Sequence, residues 1–441
     1  MSHATYIIGD TRDVVATLPD NSVDLLLTSP PFLALRSYLP ADHPDKHREI
    51  GSEAGPAEFI NTLLALTAEW GRVIGPYGSA AIELGDTYSG SGGAGGDYNE
   101  DGLREGQQAF SGSAAKRAAL DVVDGGRPSR SGRDKDAWPM AKSLSLIPEL
   151  YRIALAYGIN PLTGQPSPAG RWRVRNVIRW VRPNPPVGAL GDKFRPATSE
   201  MVIICRSKDR WFDLDAVRGE PVEPTMTKVG AASAGRGVSG GDSGNPNKER
   251  PTANPAGAPP LDWWKISPGG YSGAHFAVYP PELCIKPIEA MCPREVCRQC
   301  GEPRRRIVDA DRTLGTRPDA HAEARNDQSG NAGGYATQRS KFDGGGSTTY
   351  TTVGWSDCGH GDYRPGVVFD PFAGSGTTLA VATGHGRDAI GIDIDERNAD
   401  LARERIGMFL TVEDRRKEPE LVGDAPITAS AQHEGQEANP K

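Results

Sequence analysis

The chain has 441 residues, enough for one large domain or two ordinary ones. Its 37% hydrophobic content, with 54 Gly and 36 Pro, implies that part of this length is loop rather than core. A formal net charge of -7 excludes a global positive field, no apolar run is long enough to cross a bilayer, and the six late-clustered Cys form no secreted disulfide framework, so the expectation is a reducing cytoplasm, no membrane partner and local basic patches for any polyanion.

In chain order, Tyr6-Ile7-Ile8 reads as a short strand running into a Gly9-Asp10 turn. Val23–Thr28 is an apolar run of the kind buried on both faces of a sheet, and it stops at Ser29-Pro30-Pro31-Phe32. Phe59–Ile74 has helical periodicity, and Gly78–Leu84 reads as a strand. Ser89–Asp97 is Gly-rich, and the polar stretch after it to Asp136 reads as an insertion. Leu144–Tyr157 predicts a helix; Arg175–Val181 and Glu200–Cys205 predict strands. Thr225–Pro260 and Asp311–Thr352 read as loop or linker. Val367–Phe369 and Ala389–Ile394 predict strands around a helix starting at Thr377, and Glu396–Phe409 predicts a closing helix capped by Asp395. Strand and helix alternate at both ends, the pattern of an α/β domain with a doubly wound, mostly parallel sheet.

Two loops carry the chemistry. The first is the turn Asp370-Pro371-Phe372-Ala373-Gly374-Ser375-Gly376-Thr377-Thr378 between a strand and a helix, where a doubly wound sheet holds a nucleoside cofactor. Its glycines let the backbone approach a ligand, and Asp393 ends the next strand, placed to grip ribose hydroxyls. A dinucleotide site would have a third Gly where Leu379 stands, and Asp370 suits a cationic sulfonium better than a pyrophosphate. The second is Ser29-Pro30-Pro31-Phe32. The prolines fix φ and remove donors, which leaves the Ser29 hydroxyl and Pro30 carbonyl to take the two N–H groups of an exocyclic amine while Phe32 stacks on the base.

Together these loops resemble the beta-class (permuted) amino-directed DNA methyltransferases, N4-cytosine or N6-adenine specific, in which the catalytic motif precedes the cofactor motif. The resemblance implies a Rossmann-like S-adenosylmethionine-dependent fold and double-stranded DNA with a flipped base. It also implies that Asp10 contacts the cofactor adenine and that His275, Phe276 and Ala277 pack on its methionine end. Ser29 in place of Asp points to cytosine, with adenine as the alternative. A bacterial or phage-infected cell fits, and a cognate restriction endonuclease is a partner that the resemblance leaves open. A nicotinamide dehydrogenase gives Ser29–Phe32 no task. A catalytically inactive zinc-ribbon DNA-binding protein is the rival of a different class, and RNA or a protein amide are rival substrates.

Cys297-x-x-Cys300 and Cys358-Gly359-His360 predict a structural zinc site rather than three free thiols and a surface His, with Cys292 as a substitute ligand and Cys205 and Cys284 as small core residues. Arg171, Arg173, Arg175, Arg179 and Arg182, extended by Lys193 and Arg195, form a candidate DNA-contacting run, and Arg304-Arg305-Arg306 a second. These readings divide the chain into a catalytic half at 1–88, an insertion at 89–140, and core elements with DNA contacts at 141–224. A loop follows at 225–260, then a cofactor-side segment at 261–294, a zinc knuckle with a looped-out insertion at 295–364, the cofactor half at 365–412 and a disordered tail at 413–441.

Overall fold

The computed structural model of the chain describes residues 2–35, 38–39, 42–89, 137–185, 193–219, 226–227, 250–251, 257–268, 279–313 and 347–416. His275, Phe276 and Ala277, most of the two Gly-rich insertions and residues 417–441 lie outside the described residues; the tail expected from 413 begins instead with the end of a strand, Leu410–Asp414.

The first elements are β1 (Ala4–Ile8), α1 (Thr11–Thr17), β2 (Val23–Thr28), α2 (Pro56–Val73) and β3 (Ile74–Leu84). Next come α3 (Ile147–Tyr157), β4 (Arg173–Val181), β5 (Thr198–Cys205), the two-residue pair β6 (Met226–Thr227) and β7 (Arg250–Pro251), and β8 (Trp263–Lys265). α4 (Glu282–Met291) leads into β9 (Glu295–Cys297), β10 (Arg306–Thr313), β11 (Ser347–Trp355) and β12 (Tyr363–Pro365). The last are β13 (Val367–Asp370), α5 (Thr377–Gly384), β14 (Asp388–Asp393), α6 (Arg397–Ile406) and β15 (Leu410–Asp414).

Nine strands form one sheet in the order β15-β1-β14-β13-β2-β3-β5-β4-β8. From β15 to β3 every pairing is parallel; β5 runs antiparallel to both β3 and β4, and β8 is parallel to β4. Strand β2 shows why both faces are covered. Leu25 and Leu27 enter a layer with Leu283, Leu379 and Ala402 from α4, α5 and α6. Leu26 enters the opposite layer with Phe59, Leu63 and Trp70 of α2 and Tyr151 of α3. A strand buried on both faces reads as a continuous apolar run, because no side of it meets water.

The stretch 311–352, expected to be linker, begins and ends in strand. β10 and β11 pair antiparallel from Arg306↔Trp355 to Thr313↔Ser347. Ser347-Thr348-Thr349-Tyr350-Thr351-Thr352-Val353 is rich in β-branched and aromatic residues, which suit a pleated surface, and this outweighed the polar composition. Helix α3 starts at Ile147 rather than Leu144, where the Asp86 carboxylate beyond β3 accepts from the amides of Leu146 at 3.0 Å and Ile147 at 3.2 Å.

The seam of the sheet is β13 against β2, with Val368 opposite Leu25 and Phe369 opposite Leu26. It joins the two ends of the sequence and sets their carboxyl-terminal loops side by side.

Candidate active site

At the seam, Thr28 Oγ1 donates to Asp370 Oδ1 at 2.6 Å across 342 positions of sequence. One residue on, the chain leaves the sheet as Ser29-Pro30-Pro31-Phe32. Thr28 pairs in register with Ile82, so Ser29 falls beside Glu83 of β3. Ser29 Oγ donates to Glu83 Oε2 at 2.6 Å. Glu83 is 4% exposed. Burial pushes its pKa up, against hydrogen bonds from Ser199 and Ser29 and the positive charge of Arg182. No sequence motif marks Glu83; only the lateral pairing of β2 with β3 gives it a role.

Gly85 ends this strand because Phe32 needs the room: a Cβ there would lie 2.5 Å from the Phe32 ring. Gly85→Ala is expected to cost about 1–3 kcal/mol of stability. If Phe32 stacks on a substrate base, as its place in the Ser-Pro-Pro-Phe loop predicts, the substitution should also lower kcat about 10- to 100-fold. Thermal melting and steady-state kinetics check both; a stability loss with unchanged kcat would remove Phe32 from the site.

The Gly-rich turn is built from beneath. Asp370, 1% exposed, accepts from Thr28, from the Phe372 amide at 3.1 Å, from Thr378 Oγ1 at 2.6 Å and from Tyr279 at 3.1 Å. Burial raises its pKa despite these donors. Gly374 and Gly376 both take positive φ, and at Gly376 a Cβ would press on Ala402 of α6 at 3.0 Å. The Gly374 amide donates to Asp393 Oδ2 and the Asp395 amide to Asp393 Oδ1, each at 2.8 Å; Asn398 adds a third bond at 3.1 Å. Burial, with the negative charge of Asp395 beside it, pushes Asp393 up to about 6. Asp10 caps α1, accepting from the Arg12 amide at 2.8 Å, and pairs with Arg12 at 2.6 Å and Arg48 at 2.9 Å. Asp395 accepts from the Arg397 amide at 3.0 Å, at the start of α6.

A cavity of about 540 Å³ runs along the carboxyl edge of the sheet. In strand order it passes Asp10 and Thr11, Asp393, then Pro371, Phe372, Gly374, Ser375 and Thr377, and reaches Ser29, Pro30, Pro31, Phe32, Glu83 and Arg182. Asp370, Gly376 and Thr378, expected to touch a cofactor, are not among the residues lining this cavity; Asp370 and Thr378 are hydrogen-bonded to each other beneath the turn. Thr11 was not foreseen. Thr11 lines this cavity, and its buried Oγ1 has no hydrogen-bond partner among the described residues.

The arginine run does not form one surface. A bulge between Val174 and Asn176 shifts the alternation of β4. Arg171, Arg173, Arg175 and Arg179 are exposed, and Arg179 pairs with Glu200 at 3.0 Å. Arg182 turns into the cavity and stacks on Trp180 at 5.1 Å. Lys193 lies over the Tyr88 ring at 3.5 Å, and Arg195 donates to the Pro185 carbonyl. Arg304, Arg305 and Arg306 each face an acid: Glu295 at 2.8 Å, Glu302 at 3.9 Å and Asp213 at 2.7 Å.

Cys297, Cys300, Cys358 and His360 converge, their ligand atoms all within 4.8 Å of one another. The antiparallel pair β9–β12 holds them together, with Tyr363 opposite Cys297. Cys292 is not among them; it is fully buried, its carbonyl taken by Arg387 at 3.0 Å. Cys205 and Cys284 are core residues. The cluster sits beyond the amino ends of β2 and β13, where Arg364 reaches Asp24 at 2.6 Å, on the edge opposite the cavity. Among the described residues, no helix is long and apolar enough to cross a membrane.

A mostly parallel sheet that sets a Ser-Pro-Pro-Phe loop beside a Gly-rich strand-to-helix turn, in that chain order, is the arrangement of an S-adenosylmethionine-dependent amino-methyltransferase. The family model of the N6/N4 DNA methylases matches residues 363–404. The chain is 27% identical over 211 residues to the Type II methyltransferase M.SfiI of Streptomyces fimbriatus, covering 48% of this chain and 38% of that one. It is 22% identical over 408 residues to the Type II methyltransferase M.SmaI of Serratia marcescens, covering 91% and 89%. The solved PvuII DNA methyltransferase (cytosine-N4-specific) aligns over 94% of this chain and 95% of its own, with 13% identity and a TM-score of 0.39. The chain is thus similar to the N6/N4 DNA methylases, by the family model over residues 363–404 and by the M.SmaI relative over nearly its whole length.

Proposed function

We propose that the protein is a site-specific DNA methyltransferase that methylates the N4 amino group of cytosine in a flipped-out base. The observation that carries this reading is the hydrogen bond from Ser29 to Glu83 at the cavity's base end. Ser29 spends its own proton on Glu83, so its oxygen lone pairs are free to accept one amine N–H, and the Pro30 carbonyl accepts the other. This points the nitrogen lone pair toward the cofactor turn. Bound there, S-adenosylmethionine would supply an electrophilic methyl group, its sulfonium leaving as a neutral thioether as the S–C bond breaks. As the nitrogen forms its new bond to carbon it turns positive, and its proton passes to Ser29 Oγ while the Ser29 proton passes to Glu83. Asp393 and the orphan Thr11 hydroxyl fit the nucleoside of the cofactor, and Asp10 lies beside Thr11. The exposed arginines of β4 contact phosphates.

The test is to incubate the protein with methyl-labelled S-adenosylmethionine and unmodified genomic DNA, then digest to nucleosides. Labelled N4-methylcytosine is expected. N6-methyladenine would move the assignment to adenine, and no label with cofactor bound would end the reading.

The four clustered ligands fit a structural zinc ion: at Zn–S bonds of about 2.3 Å, tetrahedral ligand atoms sit roughly 3.8 Å apart. One zinc per chain is expected by elemental analysis. Cys300→Ser should lose it and melt about 5 °C or more lower. Because the cluster lies across the sheet from the cavity, kcat of the folded fraction should be unchanged. A fall in kcat at constant folded fraction would tie the metal to the reaction.

A further inference from the structure

Arg182 is a cation inside the base end of the cavity that the reaction above does not use. Its amide donates to Ala197 at 2.8 Å, which fixes the backbone directly after β4. Its guanidinium stacks on Trp180, and Nη1 donates to Ser199 Oγ at 3.4 Å; Ser199 is in turn a hydrogen-bond partner of Glu83. Its Nε is buried without a partner, and among the described residues nothing engages Nη2 and no carboxylate pairs with it directly. A half-buried guanidinium with an idle donor edge is costly unless a ligand brings acceptors.

The neighbouring ligand is the target base. With its amino group on Ser29 and Pro30, cytosine presents N3 and O2 next in line, two adjacent acceptors. Adenine presents N1 and then a C–H. The paired N–H groups of a guanidinium match two acceptors and only half match one, and the terminal nitrogens of Arg182 make one long bond, from Nη1 to Ser199 at 3.4 Å. The spacing agrees. Backbones of β2 and β4 are separated by three strand intervals of about 4.8 Å, roughly 14 Å. An extended arginine spans about half of that, and a pyrimidine with its hydrogen bonds the remainder.

We propose that Arg182 reads O2 and N3 of the target cytosine and so selects cytosine over adenine. This rests on the N4-cytosine reading above. The test compares ordinary DNA with DNA amplified using 2-thiodeoxycytidine triphosphate, in which sulfur, a weak acceptor, replaces O2. Weaker pairing with guanine eases flipping of the thio base, so a slower reaction cannot come from that step. Wild-type kcat/KM for N4 methylation is expected to fall about 10-fold or more on thio DNA. Arg182→Met should be about 10- to 100-fold slower on ordinary DNA. It should show no further drop on thio DNA, with unchanged cofactor binding and melting. Equal wild-type methylation of both DNAs would overturn the role of Arg182 and leave the N4 reading intact. Label in adenine would overturn both. Should Arg182→Met fail to fold, the wild-type comparison decides alone.

Discussion

Glu83→Gln is expected to lower kcat by about 10²- to 10⁴-fold while leaving the affinity for S-adenosylmethionine within about twofold of wild type. The amine must lose a proton as it gains a methyl group, and Glu83 is the only carboxylate bonded to Ser29 among the described residues. A buried carboxylate with a raised pKa is a better proton acceptor than an exposed one. The acceptor must be ionised, so wild-type kcat should rise with pH through the raised pKa and then level off; the Gln variant should lose this limb. The stability sign runs the other way. A carboxyl whose folded pKa lies above its unfolded value contributes stability at low pH and loses it as pH rises through the folded pKa. Glu83→Gln should therefore melt no lower than wild type at pH 8, which separates lost chemistry from lost fold. A variant with kcat within about threefold of wild type would send the proton elsewhere.

Asp393→Asn should weaken S-adenosylmethionine binding about 10- to 100-fold, the worth of hydrogen bonds to a charged acceptor. At saturating cofactor kcat should change little, since Asp393 stands at the end of β14 and Ser29, proposed to hold the amine, at the end of β2, with β13 between them. Asp393 is pushed up to about 6, so the wild-type dissociation constant should be flat above pH 7 and rise as pH falls through 6. The Asn variant should show no such rise. Calorimetric titration from pH 5 to 8 measures both. Equal pH dependence in the two proteins would assign it to another group and remove Asp393 from the cofactor site.

Much of this site was legible in the residues. Ser29–Phe32 and Pro371–Thr377 stand out because prolines and glycines mark backbone that side-chain patterning cannot produce, and the apolar run of β2 announced a central strand. What stayed hidden depends on lateral neighbours. Glu83 sits in the run Ala80–Leu84 and becomes special only because β2 pairs with β3 one residue short of Ser29. Arg182 read as one more arginine of a basic stretch; a one-residue bulge and the end of β4 sent it elsewhere. Asp370 looked like a cofactor ligand by charge, and Thr28, contributed by the far end of the chain, turned it inward. Thr11 has no motif at all.

The pairing of β13 with β2 also governs when the protein exists as an enzyme. Thr28 is synthesised 342 residues before Asp370. At about 5–20 residues per second, β2 waits on the order of tens of seconds for its central partner. During that interval a strand apolar on both faces lacks one edge, which is a hazard for aggregation and a natural target for chaperones. The cavity cannot be complete before β13 and β14 emerge, because the turn after β13 and Asp393 of β14 line it. A premature stop anywhere before β14 yields an inert fragment rather than a weakened enzyme.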